Sequence, residues 1–230
     1  MNIFLQLLIN GLIAGAIYAL VASGFSLIYS TNRFVHFAHG SVVVAAGYFL
    51  YLFFSILKVN FWFSIIIAIL LSGLLGWAIN KTVYEKLRKN KAGPAILLIA
   101  SIGILILLES LILIFFGANV KTIGFIKIAK GMEILGAIIT PLQIIIIVVS
   151  LLLLVGLIIL MKRTKIGNAL RAVSNSKDLV EILGISSKKL FAISFIIGSL
   201  IAGVAGILVS LEQNLEPFMG STLMIKGFTG

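Results

Sequence analysis

Residues 81–116 read KTVYEKLRKNKAGPAILLIASIGILILLESLILIFF, and their two halves are chemically opposite. Five basic residues, Lys81, Lys86, Arg88, Lys89 and Lys91, crowd the first eleven positions, and residues 92–116 carry one charge, Glu109. A helix over 92–116 is about 37 Å long, enough to cross a hydrocarbon core of about 30 Å. Basic residues beside an apolar span mark its cytoplasmic end. This stretch therefore predicts a transmembrane helix that enters from the cytoplasm.

Working outward, similar runs occupy 1–32, 34–57, 61–80, 138–161 and 190–211. The chain is an all-α polytopic bundle of six spans, plus the start of a further one at MIKGFTG, 224–230. The first run makes a helix of about 48 Å, so it must tilt, kink or begin with a short interfacial piece near Asn10-Gly11. It lacks a basic leader and is too long for a cleaved signal peptide.

Composition agrees. In 230 residues, 61% are hydrophobic and 11% charged, with a mean hydropathy of +1.23. One soluble domain of this size cannot hide that much apolar surface. The net charge of +11 does not point to nucleic acid, because 12 of the 18 basic residues fall in 81–91 and 162–189. Both segments are cytoplasmic by the positive-inside rule, and 117–137, with Lys121, Lys127 and Lys130, is external. The N-terminus is then outside. With no cysteine, disulfides and thiolate metal sites are excluded.

Small residues recur at helix-packing spacing in Gly11/Gly15 and Gly198/Ala202/Gly206. LIAG occurs at 12–15 and 200–203, a reuse of common membrane residues rather than a repeat. Within 162–189, NSKDLVEILG offers Asn175 or Ser176 as N-cap, Asp178 and Glu181 near the positive end of the dipole, and Gly184 as a left-handed stop. The helix predicted over 177–183 puts Leu179, Val180 and Leu183 on one apolar face. Two turns are not stable alone, so this helix docks on something.

The only histidines lie in RFVHFAHG, 33–40, where Arg33 marks a cytoplasmic interfacial turn. His36 and His39 are too few for a metal site. They fit a polar bundle core packed at Gly40, or the lining of a translocation path. Glu109 is the one acid inside a span. It either reaches polar groups or the interface, or it serves proton coupling in a secondary transporter, the rival reading. No G-x-x-x-x-G-K-[ST] is present, so the chain has no P-loop for ATP.

Three separated stretches carry a family resemblance: GLIAGAIYALVASGFSLIYS at 11–30, VHFAHG at 35–40, and KIGNALRAVSNSKDLVEILGISSKKL at 165–190 with the FIIGSLIAGVAG span at 195–206. Together they resemble the permease subunits of ATP-binding-cassette importers, in the branched-chain amino acid branch. Gly184 matches the glycine of that family's E-A-A-x-x-x-G loop, where Asp178-Leu179-Val180 replace E-A-A. His39 and Gly40 match its I-N-F-A-H-G, with His36 replacing Asn. The resemblance implies one membrane-embedded permease domain over 1–230, with 162–189 as its ATPase-docking loop and further helices beyond 230. It also implies a multi-pass protein of a prokaryotic cell membrane that is not an enzyme and binds no cofactor, ATP being used by partners. Those partners are a homologous second permease subunit, cytoplasmic ATPases and an external solute-binding protein. Amides or urea are substrates of related permeases.

Overall fold

The computed structural model describes residues 3–125, 131–134 and 137–229. Lys127, Lys130 and Gly230 lie outside the described residues. Among those described, six helices are long and apolar enough to cross a membrane. The first is α1, Ile3–Asn32. It runs unbroken through Asn10-Gly11. Near its start, Gln6 meets a hairpin formed by β1, Met132–Ile134, and β2, Ala137–Ile139. The Ile138 N–H donates to Gln6 Oε1 at 2.8 Å, and Gln6 Nε2 donates to the Ile138 carbonyl at 3.1 Å.

Helix α2, His39–Leu50, continues as a π-helical segment to Ile56. Helix α3, Phe61–Ile79, is started by Asn60, whose side chain accepts from the Trp62 N–H. It passes through a π segment, Asn80–Tyr84, into α4, Glu85–Lys89. Most of the basic stretch read as a loop is thus helical. Its charges do not break the helix because Lys81 and Lys89 each pair with Glu85 one turn away.

Helix α5, Pro94–Phe116, has Pro at its first turn and ends at Gly117, whose φ of 78° closes the helix. Helix α6, Pro141–Arg163, opens with a capping box between Thr140 and Gln143. Two short helices follow, α7, Lys165–Asn175, and α8, Lys177–Ile182. Helix α9, Ser187–Glu212, and α10, Met219–Thr229, complete the described chain. The loop after α5 is tied to the α9–α10 linker by paired backbone hydrogen bonds between Lys121 and Leu215, at 3.0 and 2.8 Å.

Helix α9 is the centre of the bundle, packed on α1, α2 and α3. Lipid supplies no hydrophobic force for that contact, so close backbone approach must. A Cβ on Gly206 would overlap the Val43 carbonyl of α2, and one on Gly198 would lie 2.9 Å from the Gly24 oxygen of α1. Ala202, between them, is fully buried. The expectation for Gly11 and Gly15 differs from the structure. A Cβ on either would meet nothing within 4 Å, because this face of α1 is open.

Candidate functional site

The RFVHFAHG segment takes an unexpected route. Arg33 leaves α1 with a left-handed φ of 58°, yet six residues later His39 Nε2 lies 3.2 Å from the Val21 carbonyl oxygen. Val21 is eleven residues back along α1 from Asn32, about 17 Å, and the stretch from Arg33 to His39 can extend about 20 Å. The chain therefore turns at the end of α1 and climbs back beside it, so that α2 starts inside the bundle. The apolar run at 34–57 is not a helix from its first residue. Ser101 of α5 holds the climb in place, accepting the Phe37 N–H at 3.2 Å and sharing its one O–H between the Leu98 carbonyl of its own helix at 2.7 Å and the Val35 carbonyl at 3.2 Å.

Both histidine rings are enclosed by protein. His36 Nδ1 is 2.8 Å from the Tyr84 hydroxyl, and its ring stands edge-on to Phe195 at 5.0 Å. His39 lies against Gly24, where a Cβ would sit 3.0 Å from its ring. The second nitrogen of each ring has no hydrogen-bond partner among the described residues. Gly40 is pressed on α10, since a Cβ there would overlap the Gly220 carbonyl.

At the far end of α3, sequence reading takes Arg88 only as a topological charge. The structure places it at a polar junction. Arg88 donates to Asn32 Oδ1 at 2.9 Å and to Asn80 Oδ1, and its guanidinium lies 4.7 Å from the centre of the Phe191 ring. Asn32 in turn donates to Ser194 at 2.9 Å. Four elements are joined through neutral partners around one cation. Asn80 and Asn32, amides at the ends of apolar runs, were the available sequence signal, but nothing local paired them.

The segment 162–189 is a platform of two helices rather than a loop with one. Helix α7 was not anticipated. It buries Gly167, Leu170 and Val173, and Val180 of α8 packs with Leu170, Val173, Leu190 and Phe191. The Ser176 hydroxyl caps α8 by accepting the Leu179 N–H at 3.3 Å, and Gly184 ends it at φ 77°. Glu181 accepts from Ser187 and lies 3.8 Å from Lys177, while Asp178 sits exposed in the first turn. The shared apolar face is a correction: Val180 points in, but Leu179 is 62% exposed and Leu183 75%, with Ile182 at 79%. The face Val180 uses is set by α7, so the other apolar side chains are left pointing outward.

A model of the branched-chain amino acid transport system permease component matches residues 7–229. The chain belongs to this family. BraD of Pseudomonas aeruginosa, a high-affinity branched-chain amino acid transport system permease protein, is 30% identical over 98% of this chain and 77% of its own. LivH of Escherichia coli K12, with the same description, is 28% identical over 98% and 77%. A probable branched-chain amino acid transport permease protein LivH of Methanocaldococcus jannaschii is 27% identical over 97% and 71%. No solved structure matches. The permease is thus a multi-pass protein of the cell membrane.

Within the permease, Glu109 is buried on α5 and faces the backbone of Ser221, in the first turn of α10. A carboxylate suits the positive end of a helix. Its Oε1 has no partner, and none of the ion pairs among the described residues includes it. Among those residues no three His, Asp or Glu side chains come together as a metal site would need.

Proposed function

We propose that this permease moves branched-chain amino acids inward across the membrane, driven by ATP that partner ATPases hydrolyse on its cytoplasmic side. It works beside a second, homologous permease subunit and receives substrate from an external solute-binding protein. ATP binding is left to the partners, since the chain carries no P-loop sequence. The observation that carries this reading is α8. A two-turn helix fixed at both ends by Ser176 and Gly184, and anchored through Val180, holds Leu179, Ile182 and Leu183 outward at the basic end of the bundle. Exposed apolar side chains on a rigid base suit a groove on a partner protein. The relatives' printed names supply the substrate class. The test is uptake of labelled leucine by cells carrying the complete transport operon, with and without this subunit. Loss of uptake on deletion is expected. Retained leucine uptake, or loss of amide or urea uptake in its place, overturns the assignment.

A further inference from the structure

Helix α10 carries a cation at a depth where none is expected. Lys226 Nζ lies 5.6 Å from the centre of the Tyr18 ring on α1. Tyr18 is fourteen residues from the cytoplasmic end of α1 at Asn32, about 21 Å, and eight residues from Asn10, about 12 Å. The ammonium therefore sits well inside a hydrocarbon layer of about 30 Å. It takes part in none of the ion pairs among the described residues. A charged side chain at this depth is costly, and such residues face an aqueous cavity or a partner group rather than lipid.

Lys226 does line a cavity. Its walls are Tyr18, Ala19, Ala22, Ser23 and Ser26 of α1, with Gly15 above, and its volume is about 500 Å³. That is within the range of small-molecule sites, about 300–1,000 Å³. Polar and apolar groups are separated along it. Lys226 and Tyr18 stand at one end, and the Ser23 and Ser26 hydroxyls stand about two and three turns along α1 from Gly15. Ser23 donates to the Leu20 carbonyl at 2.8 Å, which leaves its oxygen free to accept. Ala19 and Ala22 give a smooth apolar wall between them. The cation suits the carboxylate of an amino acid, Ser23 is the nearer hydroxyl for the ammonium on the same carbon, and the Ala19 and Ala22 wall suits the aliphatic side chain.

We propose that the cavity between α1 and α10 is the mid-membrane transit site of the permease, and that Lys226 receives the α-carboxylate of the amino acid there. The inference rests on the import reading and adds the group that recognises the substrate. The cavity opens sideways on the face of α1 that Gly11 and Gly15 leave bare, so the second permease subunit closes it.

The chain has no cysteine, so the cavity can be probed by a single thiol. The complete transporter carrying Ala22→Cys, with cysteine-free partner subunits and reconstituted in nanodiscs, is labelled with a charged thiol reagent in the presence of leucine or of leucinamide. A second variant, Ser26→Cys, reports on the same wall. Leucine is expected to slow labelling and leucinamide, which lacks the carboxylate, to leave it unchanged. Adding Lys226→Gln should raise the leucine concentration needed for protection about ten- to a hundredfold, the loss of one charge-assisted hydrogen bond, and Lys226→Arg should preserve it. Indifference of both thiols to leucine, equal protection by leucinamide, or protection that survives Lys226→Gln overturns the assignment. Labelled leucine uptake by the wild-type system is measured in parallel. If it is absent, the import reading fails; if it is present while the cavity ignores leucine, only the transit site fails.

Discussion

At the scale of single residues, the two glycine sets make opposite predictions from the same motif. Gly206 has no room for a side chain because the Val43 carbonyl occupies the Cβ position, whereas a Cβ on Gly11 meets open space. Gly206→Val should force α9 off α2 and destabilise the bundle by about 1–3 kcal/mol, the usual range for overpacking. Gly11→Ala should leave its stability unchanged within about 0.5 kcal/mol. Thermal unfolding of the two purified variants in detergent checks the contrast, and equal losses would contradict the packing described. The sequence marks both pairs alike, since spacing shows which residues are small and not which face meets a neighbour. His36 gives the same lesson. A buried polar ring was legible from its setting, but its partner Tyr84 is 48 residues away, and no local pattern links them. Tyr84→Phe removes that hydroxyl and leaves His36 Nδ1 unpaired, a loss of about 1–3 kcal/mol in the same assay.

At the scale of the element, α8 shows how far local signals reach. Ser176 and Gly184 were readable as start and stop because caps act within a few residues. The direction of the apolar face was not, because it is decided by α7, whose Leu170 and Val173 claim Val180 and leave Leu183 outside. Two substitutions separate anchoring from docking. Leu183→Asp changes an exposed side chain, so the permease should stay folded in the membrane and lose its ATPase on co-purification. Gly184→Val places a β-branched residue at a φ of 77°, which strains the helix stop. It too should release the ATPase, with the transmembrane bundle intact by limited proteolysis. Normal co-purification of the ATPase with both variants would remove α8 from the docking surface.

At the scale of the whole molecule, hydropathy was enough for six spans, because the membrane imposes its length and polarity rules on any chain. It was blind to the climb of residues 33–38, whose apolar composition fits an extended strand of chain as well as a helix. The larger question is the source of energy. Glu109 keeps one oxygen unpartnered at the start of α10, the feature a proton carrier would use, yet it has no ion-pair partner among the described residues with which to relay a proton. Beside the first turn of α10 it needs only to offer an acceptor oxygen, which a Gln carbonyl also does. Glu109→Gln should therefore leave leucine uptake dependent on ATP and resistant to an uncoupler while ATP is maintained. A proton-coupled carrier would behave otherwise, since a proton crossing the membrane gains about 2.3 kcal/mol per 100 mV and the substitution removes its binding group. Vesicles with the complete subunit set, energised either by internal ATP or by an imposed pH gradient, separate the two. Accumulation driven by the gradient alone and abolished by Glu109→Gln would make Glu109 a coupling site and place the energy source within this chain.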